Sequence, residues 1–181
     1  MLPLYIDQVE LFDNEKNEFI DIPSQYIEIE HSLQSISKWE AIWKKPYLSD
    51  EPRTLEEDIS YIQCMTLPGF NIDAISLKYL SNENKEKINN YLNDKATATW
   101  FSEKEKKSSK KEVITSELIY YWMIESGIPF ECDTWNINRL LTLIRVCGVK
   151  MSDNKKMSKK DVMKQNQLLN AQRRARMNSR G

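Results

Sequence analysis

The sequence predicts an α+β fold: a small N-terminal antiparallel β-sheet, a mostly α-helical body and a basic C-terminal arm. Three observations carry this. Apolar residues alternate with a period of two over the first 30 positions and take helical spacing from position 32 onward. Glycine is scarce, with 4 residues in 181, against the many tight turns of an all-β design. Charge is split along the chain. Residues 150–181 hold ten Lys and Arg against two Asp, a net +8, whereas residues 1–149 hold 16 basic against 25 acidic groups, a net −9. The expected organisation is one domain over residues 1–149, β-rich to residue 30 and helical from 32, and a separate arm over 150–181 that serves a partner rather than the core.

In the first stretch, LPLYIDQVEL sets Leu4 and Ile6 on one side of a strand. DNEK at 13–16 reads as a turn and EFIDI at 18–22 as a second strand. QYIEIE at 25–30 alternates strictly, with Ile27 and Ile29 opposed to Tyr26, Glu28 and Glu30. Ser32 then caps a helix with Leu33, Ile36, Trp39, Ile42 and Trp43 on its apolar side, ended by Lys44, Lys45 and Pro46. Thr54 and Glu57 form a capping-box pattern ahead of Leu55, Ile59, Ile62 and Met65. Two shorter helices are expected near 73–80 and 83–93. ATATWF at 96–101 reads as a strand that joins the sheet, and EKEKKSSKK as a charged loop.

Two further helices are unusually apolar. ITSELIYYWMIES at 114–126 spreads apolar residues around the whole wheel, the pattern of a helix buried on every side. Asp133 can cap the next helix, in which Ile137, Leu140, Leu141, Ile144 and Cys147 follow the i, i+3, i+4, i+7 rule. Leu143, Val146 and Trp135 widen that stripe until Asn138, Thr142 and Arg145 are left to face water, and Gly148 is a natural stop. A domain of this size has difficulty burying two such helices, so one face is expected to close an oligomer or receive a partner. Arg139 falls within the apolar stripe. Two readings stand: an ion pair with Glu117, Glu125 or Glu131 that pins a helical hairpin, which is favoured, or an anchor at an interface.

Catalytic chemistry is not spelled out. His31 is the single histidine, and its neighbours Ser32 and Glu30 point away from it, so it reads as structural rather than as a general base. One His and three scattered Cys make no zinc pattern, and no phosphate-cradling glycine motif is present. No metal, cofactor or catalytic residue is therefore expected. The acids at 56–58 suit a helix first turn and read as solvated. Trp39 and Trp43, at i and i+4, read as core in preference to a ligand shelf. Cys64, Cys132 and Cys147 are odd in number and widely spaced, the pattern of buried thiols in a reducing cytoplasm. The N-terminus lacks the pattern of a signal peptide, and the longest apolar run, 118–124, is far short of the ~20 residues of a membrane span, so a soluble protein is expected. The arm carries Lys159, Lys160, Arg173, Arg174 and Arg176 but no aromatics, so nucleic acid, if bound at all, would be held through phosphates; an acidic protein partner and a solvated tail are the competing readings.

Six blocks together carry a resemblance: HSLQSISKWEAIWKKPYL at 31–48, YIQCMTL at 61–67, ATATWF, SELIYYWMIESGIPFEC at 116–132, WNINRLLTLIRVC at 135–147 and KKMSK at 155–159. Together they resemble a family of small proteins of tailed bacteriophages and prophages, similar to tail assembly chaperones, a resemblance that covers nearly the whole chain beyond residue 30. The resemblance implies a non-enzymatic assembly factor of the host bacterial cytoplasm. Such a factor coats the tape measure protein, is displaced by tail tube protein and is absent from the finished virion. Partner-facing residues would then be Tyr121, Trp122, Trp135, Arg139, Leu143 and Val146, with Arg173, Arg174 and Arg176 as a second contact. A homo-oligomer is compatible with the same surfaces. The alternatives are a structural virion component of the neck, connector or baseplate and, less favoured, a nucleic-acid-binding regulator.

Overall fold

A computed structural model describes residues 1–13, 17–72, 74–99, 101, 113–155, 163, 167–170 and 173. The architecture is α+β, an N-terminal antiparallel sheet followed by a mostly helical body. Strands β1 (Leu2–Ile6), β2 (Val9–Asp13), β3 (Glu18–Ile22) and β4 (Gln25–Ile29) pair as β1 with β4 and β2 with β3. The register is the same on both sides of the gap, from Leu2 opposite Ile29 to Ile6 opposite Gln25, then Val9 opposite Ile22 to Asp13 opposite Glu18. The sheet is thus one long hairpin broken once. Pro23, which has no N–H to give a ladder, lies in the gap. The apolar positions also slip there, from Leu4 and Ile6 to Val9 and Leu11.

Leu4, Ile6, Ile27 and Ile29 are buried, and Tyr26 stands on the other face, where its hydroxyl donates to Glu28 at 2.8 Å. Both edges of the stem are engaged. Beyond β4, Glu30 N–H donates to the Met65 carbonyl and Leu67 N–H to the Glu28 carbonyl, each at 2.9 Å. On β1, the Asn84 amide donates to the Tyr5 carbonyl.

Six helices follow: α1 (Leu33–Trp43), α2 (Leu55–Met65), α3 (Ala74–Lys78), α4 (Asn82–Asn93), α5 (Ser116–Glu125) and α6 (Ile137–Lys155), with a 3-10 turn at Phe130–Thr134. Ser32 caps α1 by accepting from Ser35 N–H at 3.2 Å. Lys44, left-handed at φ 56°, ends it two residues before Pro46. The capping box of α2 is complete: Thr54 accepts from Glu57 N–H, and Glu57 reaches back to Thr54 N–H at 2.8 Å. Replacing Thr54 with alanine removes one half of it and is expected to cost about 1 kcal/mol. Serine at the same position should restore most of the loss, read by thermal denaturation.

Helix α1 is the centre of the body, packed by α2, α5 and the 3-10 turn. Its side of the core is Leu33, Ile36 and Trp39; α5 adds Ile119 and Met123, and α6 adds Ile137 and Leu140. Glu40, buried in α1, ties two other segments to it: one carboxylate oxygen accepts from Tyr47 N–H at 2.9 Å, the other from Ser116 N–H at 2.8 Å. The second bond satisfies a donor at the N-terminus of α5 that has no partner within its helix, with the charge that suits a helix start.

Several expectations are corrected. Residues 96–99 and Phe101 are not a strand. Ala96 sits at φ 50°, and Asp94 and Thr97 side chains accept from the N–H groups of Ala96 and Thr99, so local turns replace ladder pairing. Glu57 is buried, not solvated, because it serves the capping box and an ion pair with Lys45 at 2.5 Å. Gly148 does not end α6, which runs on to Lys155; a single glycine costs a helix about 1 kcal/mol and does not stop it. Asp133 does not cap α6 but accepts from the Tyr120 hydroxyl at 3.0 Å, and Asn136 takes the capping role by accepting from Asn138 N–H. Cys132 is buried, but Cys64 and Cys147 are half-exposed, and all three are free thiols. Residues 14–16 of the expected turn, Trp100 and the charged stretch 103–111 lie outside the described residues.

Two compact units are defined, Met1–Ile144 and Arg145–Gly181. In the second, α6 continues to Lys155, and Met163, residues 167–170 and Arg173 are helical and exposed. Among the described residues no helix is long and apolar enough to cross a membrane.

Candidate functional site

The helix read as buried on all sides is buried on one. Ser116, Ile119 and Met123 of α5 face the core, while Tyr121 and Ile124 are 51% and 63% exposed. The division is positional. Residues 117, 121, 124 and 125 share the outward face at i, i+4, i+7 and i+8 spacing, so Glu117 and Glu125 bracket an apolar pair. Its end is set by a Schellman turn. Gly127, at φ +65°, donates to the Ile124 carbonyl, and Ile128 N–H donates to the Met123 carbonyl. This turn delivers Phe130, 55% exposed, to within 5.9 Å of Tyr120 between ring centroids.

A second patch lies at the start of α6. Ile137 N–H donates to the His31 carbonyl at 2.7 Å and fixes this end of the helix to the strand–helix junction. Arg139 is exposed, and its guanidinium carbon sits 4.3 Å from the centroid of the half-buried Trp135 ring. The favoured reading of Arg139, a buried ion pair that pins a helical hairpin, is therefore overturned. Arg139 lies on the outer side of the stripe, where an indole face takes the place of a carboxylate. Leu143, one turn on, is half-buried on the same stripe. Trp135, Arg139 and Leu143 are thus brought into line, whereas Trp122 is half-buried on the flank of α5 away from Tyr121. Val146, beyond the first unit, is half-buried and Arg173 is exposed; Arg174 and Arg176 lie outside the described residues. Ile124 and Phe130, both exposed, were not among the residues expected to face a partner, although the Glu117–Tyr121–Ile124–Glu125 spacing already marks an outward face.

A buried constellation with perturbed titration surrounds His31. Its Nδ1 and the Tyr61 hydroxyl share a hydrogen bond of 2.5 Å. Tyr61 stacks on Tyr47 at 3.9 Å, Trp39 meets Tyr47 edge-on at 5.2 Å, and Arg53 lies over the Tyr47 ring at 4.6 Å. Burial pushes the imidazole down to about 4; Glu30 opposes that shift and Arg53 adds to it. Burial pushes the Tyr47 phenol up to about 12 and Tyr61 well above its ordinary value. His31 is 5% exposed and Tyr61 2%. The buried His31–Tyr61 pair ties the β4–α1 junction to α2. Among the described residues no three His, Cys, Asp or Glu side chains gather as a metal site.

Comparison with known proteins returns no match among protein-family models, curated proteins or solved structures.

Proposed function

We propose that this chain is a non-enzymatic assembly factor of a tailed bacteriophage, a tail assembly chaperone that acts in the host cytoplasm by holding the tape measure protein and passing it to tail tube subunits. Two features support the reading: the six sequence blocks that resemble that family, and an outward apolar surface on a well-anchored scaffold. The second carries the structural weight. Tyr121 and Ile124 stand exposed on a helix whose opposite face and N-terminus are fixed in the core. Aromatic and Arg side chains on a rigid frame are the composition of interaction hot spots. An amphipathic tape measure helix is a natural occupant for such a surface.

The test is co-expression with the tape measure protein of the same phage. Tyr121→Asp with Ile124→Asp places charge on exposed positions, so the fold and its unfolding midpoint should be unchanged. Co-purification of the tape measure protein is expected to fall at least about tenfold, the scale of losing one to two hot-spot side chains. Trp135→Ala with Arg139→Ala should weaken it further. Undiminished co-purification in both variants would refute this surface as the binding face.

A further inference from the structure

A cleft of about 320 Å³ opens between α2, α3 and α4. Its apolar walls include Ile59, Ile62, Met65, Leu77, Ile88 and Leu92. The space is open to the surface and is a cleft, not an internal void. It matches the small end of preformed ligand sites. The polar lining has a sign. Arg53 and Lys85 face one carboxylate, Asp58, and Arg53 Nε already donates to Asp58 at 3.0 Å. Lys85 is exposed, at the open side of the cleft, and among the described residues it forms no ion pair. Arg53 also donates from Nη1 to the Tyr47 carbonyl at 3.4 Å, which leaves it further N–H donors. The cleft therefore combines a mainly apolar interior, with aliphatic side chains from α2, α3 and α4 and the rings of Tyr47 and Tyr61, with a net single positive charge among its lining residues.

We propose that this cleft binds a single-chain aliphatic carboxylate of medium length, with the chain among the α2, α3 and α4 aliphatics and the head group at Lys85, assisted by Arg53. A cation would meet two cationic side chains. A neutral alkyl ligand would fill the interior but leave Lys85 without a counter-ion.

The experiment is a titration of the full chain, carrying ¹³C-labelled Ile, Leu and Met methyl groups, with decanoate below its micelle concentration. Decanol and decyltrimethylammonium are run in parallel. Saturable shifts are expected on Ile59, Ile62, Leu77 and Ile88, with Leu4, Ile27 and Ile36 of the distant core unmoved. Lys85→Glu should weaken decanoate about five- to tenfold and leave decanol unchanged, as expected for reversing one exposed charge beside an anion. Lys85 is on the surface, so the variant should keep the wild-type spectrum elsewhere. Leu92→Trp, which fills the space, should abolish the shifts. The proposal is overturned if the cleft methyls stay silent, if shifts spread over the whole core, or if decanol and the ammonium compound bind as well as decanoate. A Lys85→Glu variant with unaltered decanoate affinity would overturn it equally.

Discussion

Replacing Trp39 with alanine is expected to lower the unfolding free energy by about 4 kcal/mol, the largest single effect in the molecule. The ring is 1% exposed and lies where α1, α2 and the loop after α1 meet. It touches Tyr47 edge-on and Trp43 at a centroid distance of 6.3 Å. Its indole N–H donates to the Glu57 carbonyl at 2.8 Å, in the helix turn that carries the capping box. Alanine would leave a cavity among aromatic neighbours and strip that carbonyl of a partner. Phenylalanine keeps most of the apolar volume and should cost about 1–2 kcal/mol, the share of the lost hydrogen bond and residual gap. Trp43→Ala should cost less than Trp39→Ala, because Trp43 is half-buried and its N–H bonds the Ser60 hydroxyl near the surface. Urea denaturation of the three variants at pH 7 gives the ranking. A Trp39→Ala protein within about 1 kcal/mol of wild type would contradict the placement of this residue at the centre of the core.

Stability should also fall on acidification before carboxylate titration dominates, through His31. The folded imidazole is held down to about 4, against 6.5 in the unfolded chain. Below pH 6.5 the unfolded chain takes up a proton that the folded chain refuses. Stability from this group is therefore complete above pH 6.5 and declines as pH falls toward 4. The loss between pH 7 and pH 5 is about 2 kcal/mol, approaching about 3 kcal/mol at the lower limit. His31 is the single histidine, so the difference between wild type and His31→Gln isolates the effect. Chemical denaturation at pH 7, 6 and 5 should show the wild type losing its advantage over the variant as pH drops. Parallel curves for the two proteins would show that His31 is not buried in its neutral form.

Local signals gave the parts of the fold that depend on neighbours in sequence. Strand alternation placed Leu4, Ile6, Ile27 and Ile29 inside. Ser32 and the Thr54–Glu57 pair marked helix starts because capping is a three-residue interaction. What escaped was non-local. Nothing near Glu40 says that its carboxylate bridges Tyr47 and Ser116, 76 positions away. The burial of α5 was overestimated because hydrophobicity around a wheel does not say how many neighbours the helix has; it packs on α1, and Tyr121 and Ile124 remain outside. A buried Arg139 would need a carboxylate, but the side chain is exposed and lies over the Trp135 ring. In the candidate surface, the aromatic and Arg composition was legible, but its outward direction on α5 and the Trp135–Arg139 stacking needed the fold.

As proposed, this chain assists assembly and does not remain in the product. Quantitative mass spectrometry of purified phage particles, with infected-cell lysate as the control, tests it most directly. The expected result is a protein abundant in lysate and missing from particles. A fixed copy number per particle would contradict it, and the outward faces of α5 and α6 would then be permanent contacts of a virion component.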